Sequence, residues 1–215
     1  MPTSSYSERP QPTPDEALAR LLEGNARFAS NVRSIDSLVS HLRRAELAAG
    51  QRPFAVIVGC SDSRAPAEIV FDQGLGDPFV IRVAGPIIEP SQIGSVEFAC
   101  SRFGTPLVLV LGHTRCGAIQ ATIDEILAPA EGQSLHVLSV VNRIRPAIAQ
   151  LVQEHRDDPS ANLTDVAVQA NVRSCISELL AGSEIIAGLV EQGKVKVIGA
   201  EYHLEHGRVE VLDDR

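Results

Sequence analysis

Residues 107–118, LVLVLGHTRCGA, form an apolar run that ends in His113 and, three residues later, in Cys116. A continuous apolar run of this kind is typical of a buried strand in a sheet that is covered on both faces. A second apolar run, residues 54–58, ends in the same way at Cys60. In an open parallel sheet, binding sites form at the carboxyl ends of strands. We therefore expect Cys60, His113 and Cys116 to lie at such strand ends.

The chain as a whole predicts an α/β fold with a mainly parallel β-sheet flanked by helices. From residue 53 onward, short apolar runs alternate with helical patterns, which favours parallel strands joined by helices. The apolar runs lie at residues 54–58, 79–83, 107–111 and 195–199. Residues 209–212 follow a turn at Gly207 and are predicted to add an antiparallel C-terminal edge strand.

An N-terminal helical arm is predicted over residues 14–50. Thr13 can cap a helix that has Pro14 at its first position and Glu16 three residues after the cap, a capping-box pattern. A second helix is expected over about residues 35–49 because leucines recur there at helical spacing. Both helices precede the first strand, so they can form an arm outside the sheet.

Composition limits the domain count and the class of function. Residues 1–13 are polar and contain three prolines, which predicts a flexible tail, and residues 14–215 are expected to form a single domain. The net charge of −8 and the pI near 5.2 argue against nucleic acid as a partner. No apolar run is long enough to span a bilayer, so no membrane partner is expected. Four cysteines are too few for a disulfide framework in a chain of this size. The cytoplasm, a reducing compartment, is therefore the expected location.

Two cysteines and a histidine at strand ends suit a zinc ion. Two thiolates and one imidazole leave the fourth tetrahedral position for water, which distinguishes a catalytic zinc site from a closed structural one. We expect His113 and Cys116 to share one face of the first turn of a following helix. The residues alone leave an alternative open, in which Cys60 and Cys116 are small core residues and His113 is a hydrogen-bonded core histidine. Cys100 and Cys175 lie on apolar helical patterns and are interpreted as packing residues.

Asp62 and Arg64 follow Cys60 at alternate positions. In an extended segment these side chains project to the same side, which would place a carboxylate beside the metal and a guanidinium beside the carboxylate. The spacing equally allows a surface turn, in which Asp62 caps the helix near residue 66 and Arg64 is solvated.

The sequence resembles the β-class carbonic anhydrases. Four blocks occur in the order found in that family, and weaker similarity extends from residues 17–28 to residues 199–202. The blocks are CSDSR at 60–64, FDQGLGD at 71–77, RVAG at 82–85 and GHTRCG at 112–117.

The resemblance implies a zinc lyase that interconverts carbon dioxide and bicarbonate by attack of zinc-bound hydroxide. It implies an α/β fold and one Zn²⁺ per subunit, with Cys60, His113 and Cys116 as the metal ligands. Asp62 and Arg64 match the family's catalytic dyad, and Asp62 also matches its alternative fourth ligand, which closes the site by displacing water.

The resemblance further implies a homodimer or a dimer of dimers, in which N-terminal helices embrace the partner. Gln73 matches a substrate-binding residue that reaches the partner's active site in the family, although a polar residue beside a glycine turn explains Gln73 as well.

Two positions depart from the family pattern. Pro86 replaces a common asparagine, so the sequence does not determine the structure of the pocket wall. His203 replaces an aspartate and is interpreted as a surface residue, not a ligand.

Two other functions are compatible with the same residues. The first is a hydrolase of carbonyl sulfide or carbon disulfide on the same fold, because the resemblance specifies the zinc ligands better than the pocket. The second is a non-catalytic protein that binds zinc or bicarbonate, in which Asp62 closes the metal site permanently.

Overall fold

The computed structural model describes residues 10–32, 34, 41–129, 132, 134–156 and 162–213. Helices and strands alternate over most of this part of the chain. In chain order they are α1 (Pro14–Ala29), α2 (His41–Leu47), β1 (Ala55–Cys60), α3 (Ala67–Val70), β2 (Pro78–Val83), α4 (Pro90–Phe103), β3 (Leu107–His113), α5 (Gly117–Leu127), α6 (Leu135–Glu154), α7 (Leu163–Gly182), α8 (Glu184–Glu191), β4 (Lys196–Tyr202) and β5 (Val209–Val211).

The strands form one sheet in the order β2-β1-β3-β4-β5. β2, β1, β3 and β4 are parallel to one another, and β5 pairs antiparallel with β4 at the edge. All residues of β1 and β3 are buried, as expected for central strands that helices cover on both faces. The predicted α/β fold with its antiparallel C-terminal edge strand is confirmed.

The N-terminal segment agrees with its sequence signals where the structure describes it. Thr13 and Glu16 form the predicted capping box at the start of α1. The helix expected at 35–49 is observed as α2, whereas residues 35–40 lie outside the described residues. Of the expected tail, residues 1–9 lie outside the described part as well, and Gln11 donates hydrogen bonds to the carbonyl groups of Pro53 and Phe103.

Close contact between α7 and the sheet depends on a glycine that directly precedes His113. A Cβ atom on Gly112 would lie 2.7 Å from Val168 Cγ1 and 2.8 Å from Val172 Cγ2, both on α7. The predicted apolar stripe of α7, which includes Cys175, is buried in the core, as is Cys100 on α4. Burial raises the thiol pKa of both cysteines to about 12, which suits their interpretation as packing residues. None of the helices in the described ranges is long and apolar enough to cross a membrane.

A second glycine, Gly24, allows helix α1 to pack closely against the backbone at Phe71. A Cβ atom on Gly24 would lie 1.9 Å from the Phe71 carbonyl oxygen and 2.7 Å from Gln73 Nε2. The neighbouring Asn25 is buried, and its amide donates hydrogen bonds to the carbonyl groups of Val70 and Gly207. α1 is therefore fixed against the loop after α3 and against the turn before β5.

We predict that Gly24→Ala destabilises the protein by about 1–3 kcal/mol, because the added methyl group forces α1 away from the Phe71 carbonyl. Gly94→Ala is the matched control, since Gly94 also lies inside a helix but an added Cβ there would meet no packed neighbour within 4 Å among the described residues. This control is expected to be more stable by about 0.5–1 kcal/mol. Urea unfolding of both variants tests the contact, and equal stability of the two would contradict it.

Candidate metal centre

The sheet places the three predicted metal ligands together. Cys60 is the last residue of β1, and His113 is the last residue of β3. The two strands are parallel neighbours, with Gly59 opposite Leu111, so their carboxyl ends meet at the same edge of the sheet. Cys116 follows as the N-cap of α5. The three side chains are buried, and their ligand atoms lie within 4.8 Å of one another, so the group can hold a metal ion.

The route that brings Cys116 to His113 differs from the sequence prediction. The two residues do not share the first turn of a helix, because α5 begins only at Gly117 and His113 still belongs to β3. A tight turn connects them instead, and Arg115 in this turn has a φ of 55°, in the left-handed region. The helical-face prediction is wrong, because a reversal of the chain between strand and helix brings the two side chains together.

The His113 imidazole is oriented for metal binding. Its Nδ1 lies 3.0 Å from the Thr114 carbonyl oxygen, which can only accept, so Nδ1 carries the proton. Nε2 is then left with its lone pair. This atom is buried and has no hydrogen-bond partner in the described part of the chain. Metal-binding histidines commonly donate their second ring N–H to a carbonyl in this way. The orphaned Nε2 therefore fits a metal ion between His113 and the two sulfur atoms.

The two cysteines of the group shift each other's pKa in opposite directions. Cys60 Sγ accepts hydrogen bonds from the backbone N–H groups of Asp62 and Gly85, each at 3.3 Å. The neighbouring thiol of Cys116 lowers the pKa of Cys60, and the same contact raises the pKa of Cys116. The pair therefore loses its first proton from Cys60 and keeps the second on Cys116. A bound divalent cation would displace the second proton, as metal binding to cysteine pairs generally does.

Asp62 and Arg64 form a forked ion pair beside this group. Asp62 Oδ1 accepts hydrogen bonds from the backbone N–H and from Nε of Arg64, both at 2.9 Å, and Oδ2 accepts one from Nη2 at 2.7 Å. These bonds hold the pKa of the Asp62 carboxyl well below its usual range. Asp62 Oδ2 lies 3.9 Å from His113 Nε2, so the carboxylate faces the metal group without belonging to it.

The segment that carries this pair is a turn, so of the two alternatives the extended conformation is wrong. The turn is confirmed, but without the expected Asp62 cap on α3 and with Arg64 bound to Asp62. The backbone N–H of Ala65 donates to the Asp62 carbonyl at 3.0 Å and closes the turn. Asp62 bonds to the Arg64 backbone, and Pro66 is the N-cap of α3 without a side-chain cap bond. The turn still brings Arg64 onto Asp62, because an aspartate side chain readily accepts from the residue two positions ahead.

Arg82 also supports the site, although the sequence interpretation did not single it out. From the neighbouring strand β2, Arg82 donates from Nε to the Cys60 carbonyl at 2.9 Å and from Nη2 to the Asp62 carbonyl at 2.7 Å. It therefore fixes the backbone on both sides of the first metal-group residue. The sequence signal that could have identified Arg82 is its position in the RVAG block at 82–85.

Asn171 is a second supporting residue that the sequence interpretation missed. Its amide donates a hydrogen bond of 2.7 Å to the Pro86 carbonyl, and Cys175 Sγ lies 3.2 Å from the same oxygen. This anchors the loop in which Gly85 donates to Cys60. Pro86 has no N–H to contribute, but its carbonyl accepts these contacts and holds the loop. No local sequence signal marks Asn171, because its contact crosses from α7 to a distant loop.

Gln73 lies apart from the metal group within this chain. Its side chain is buried, and Nε2 donates to the Phe71 carbonyl at 2.7 Å. It lines a separate cleft that also includes Arg20, Arg27 and Asp72. The predicted role of Gln73 in a partner's active site stays a prediction.

The sequence is similar to carbonic anhydrases over most of its length. A sequence model of the carbonic anhydrase family matches residues 55–209, which include the complete metal group. Carbonic anhydrase 2 of Mycobacterium tuberculosis is 40% identical over 208 residues, and the match covers 95% of each chain. A carbonic anhydrase of Mycolicibacterium smegmatis is 39% identical over 202 residues, covering 94% of this chain and 95% of the relative.

Solved structures show the same fold. The structure of the β-carbonic anhydrase CcaA superposes with a TM-score of 0.71 and 26% sequence identity, covering 91% of this chain and 95% of that chain. The fold and the sequence therefore lead to the same group of proteins.

We predict that Cys60→Ala abolishes tight binding of a divalent cation at the metal group of Cys60, His113 and Cys116, because it removes one of three converging donors. Cys100→Ala is the matched control, since it also removes a buried sulfur but lies outside the metal group. Titration with Co²⁺ provides the measurement, because thiolate coordination gives a charge-transfer absorption band. The band is expected in the control and not in Cys60→Ala, and an unchanged band in Cys60→Ala would rule out this ligand.

Proposed function

The chain belongs to the carbonic anhydrase family, in its β class, and we propose that it catalyses the reversible hydration of carbon dioxide to bicarbonate and a proton. We further propose that it uses one catalytic zinc ion per subunit, held by Cys60, His113 and Cys116. The observation that carries the proposal is the orphaned, buried Nε2 of His113 beside two sulfur atoms and an Arg64-bound carboxylate. Such a set of two thiolates and one imidazole is typical of zinc with an open fourth position.

Zinc in this position would supply the nucleophile, since it lowers the pKa of a bound water enough to provide hydroxide near neutral pH. The protein's own contribution is to orient that water. Asp62 Oδ2 can accept a hydrogen bond from it, and Arg64 holds Oδ2 by a bond of 2.7 Å. Because Arg64 occupies both carboxylate oxygens, it favours an Asp62 that faces the metal over an Asp62 that coordinates it. Coordination by Asp62 as a fourth ligand would require this pair to open.

The surroundings suit carbon dioxide, which is small and carries no charge. Cys60 and Cys116 belong to an apolar cluster with Ile87, and Val83 packs against it. An apolar, water-poor surrounding strengthens the electrostatic action of the polar groups that face the substrate. We also propose that Gln73 acts on substrate in a partner subunit, since its own metal group is elsewhere in the chain.

The exposed edge of the sheet supports a homodimer, alone or as half of a dimer of dimers. β2 pairs with β1 on one side, and its apolar residues are only half-buried. Phe98 on α4 is 54% exposed and contacts Phe79 of β2 and Phe103. An edge strand with exposed apolar side chains is a template for association with another chain. A second copy of this chain would cover the surface.

Two further assignments follow from the sequence and stay proposals. We propose that residues 14–215 act as one domain, because the sheet includes strands from both ends of this range. We propose the cytoplasm as the location, because all four cysteines are free, which suits a reducing compartment.

Stopped-flow measurement of carbon dioxide hydration, with zinc determined in the same sample, tests the proposed reaction. Zinc-loaded protein is expected to accelerate hydration, and carbonyl sulfide and carbon disulfide are expected to be poor substrates. Faster turnover of either sulfur compound would favour the hydrolase instead. A fully zinc-loaded protein without any hydration activity would support a non-catalytic binding protein.

We predict that Asp62→Ala keeps zinc but lowers kcat by about 100- to 10,000-fold, the usual contribution of a positioned acid–base group. Arg64→Ala is expected to lower kcat as well, because it frees the carboxylate from its orienting partner. Asp124→Ala is the matched control, since Asp124 is an exposed carboxylate on α5 whose side chain accepts from Gln120. Full activity of Asp62→Ala with normal zinc content would exclude the dyad.

We predict that Phe98→Asp weakens self-association about 10-fold or more, because burying a charge at an aromatic contact removes an interface anchor. Val211→Asp, a matched change at the opposite edge of the sheet, is expected to leave the dimer intact. Sedimentation velocity over a range of protein concentrations measures the association. Equal self-association of the two variants would show that β2 and α4 do not form the dimer interface.

A further inference from the structure

The hairpin between β4 and β5 carries a second group of metal-binding side chains. The backbone of its turn is fixed by two hydrogen bonds of 2.9 Å, from His203 N to the Arg208 carbonyl and from Gly207 N to the His203 carbonyl. Gly207 has a φ of 75°, which glycine adopts without strain. This turn brings the rings of His203 and His206 into a stacked arrangement, with centroids 4.8 Å apart and planes 24° apart.

One nitrogen of this group lacks a hydrogen-bonding partner. His203 Nε2 is buried and makes no hydrogen bond with any residue that the structure describes. The carboxylate of Glu210 on β5 approaches it, with Oε2 at 3.5 Å from Nε2. His203, His206 and Glu210 together offer three ligand atoms that lie within 4.8 Å of one another. An orphaned nitrogen that faces a carboxylate and a second imidazole is an arrangement that a cation would complete.

We propose that His203, His206 and Glu210 form a second metal site, which binds a divalent transition-metal ion such as zinc. Two imidazoles and one carboxylate are a common ligand set for zinc, at metal–ligand distances of about 2.0–2.2 Å. The ligand atoms must close in slightly on the ion, which the exposed side chains of His206 and Glu210 allow. His206 Nδ1 accepts a long hydrogen bond of 3.3 Å from the Arg208 N–H, and coordination through Nδ1 would replace it.

The acidic side chain opposite Glu210 also favours a cation. Glu210 lies directly opposite Glu201 in the register of β4 and β5, so the two acidic side chains share one face of the sheet. Glu201 is 1% exposed, and its Oε2 accepts from Gln169 at 2.8 Å, while Oε1 has no hydrogen-bond partner in the described ranges. Like charges directly opposite each other destabilise a strand pair. A divalent cation bound beside Glu210 would offset this repulsion.

The hairpin also contacts the turn that carries the first metal group. The backbone N–H of Leu204 donates to Thr114 Oγ1 at 3.1 Å, and Glu205 forms an ion pair with Arg115. Thr114 and Arg115 are the two residues between the proposed ligands His113 and Cys116. A metal ion in the hairpin would therefore brace the outer side of the active-site turn. Its role is structural, because its ligands lie outside the group formed by Cys60, His113 and Cys116.

Zinc titration of the tag-free, metal-depleted full chain tests the second site. Equilibrium dialysis with elemental analysis is expected to show two zinc ions per chain in the wild type. His203→Ala and Glu210→Gln are each expected to weaken the second ion by more than about 100-fold, since even losing a supporting contact of a metal ligand costs about 10- to 100-fold. His136→Ala is the matched control, and it should retain both ions.

Cobalt distinguishes this site from the thiolate site. The first equivalent of Co²⁺ is expected to produce the thiolate charge-transfer band, and the second equivalent should bind without increasing it. Cys60→Ala should lose the first ion and keep the second, so failure of the catalytic site and failure of the hairpin site give different results. A wild-type chain that saturates at one zinc ion would overturn the proposal, as would a second ion that persists in both His203→Ala and Glu210→Gln.

Discussion

Parallel pairing of β1 with β3 is the constraint on which the rest of the site depends. It places the carboxyl ends of two central strands side by side, and Cys60 and His113 are the terminal residues of those strands. Backbone geometry therefore brings the donors of both strands to the same edge of the sheet. The other parts of the site continue directly from these two strand ends: the Asp62 turn follows Cys60, and Cys116, the N-cap of α5, follows His113.

The donors are also supported from elements that are distant in the sequence. Arg82 on β2 bonds the backbone around Cys60, and Asn171 on α7 anchors the loop whose Gly85 N–H reaches the same sulfur. Gly112 allows α7 to pack directly against β3 just before His113. Loss of a supporting contact of this kind typically costs a metal centre about 10- to 100-fold in affinity or activity.

Much of this arrangement could be predicted from the sequence, because its signals are local. Apolar runs and the Thr13 capping box mark the strands and the first helix, and the strand-end positions of Cys60 and His113 indicate a shared site. Residue spacing left the conformation at Arg64 undecided between an extended segment and a turn, and it did not reveal the turn at Arg115, since alternation and helical periodicity assume regular backbone. Contacts such as that of Asn171 depend on tertiary packing and leave no periodic pattern in the chain. Gln73 is a different case, because its proposed action requires a partner subunit.

The strand order also determines when the metal group can come into existence. Between β1 and β3 the chain must complete the crossover through β2 and α4 before Cys60 can meet His113. Closing such a connection carries an entropic cost that local contacts alone do not offset. A chain emerging from the ribosome therefore presents its cysteine and histidine donors separately, and only the assembled sheet presents them together. The complete donor set therefore exists only once the central strands have paired, so metal binding at this group is coupled to the folding of the sheet.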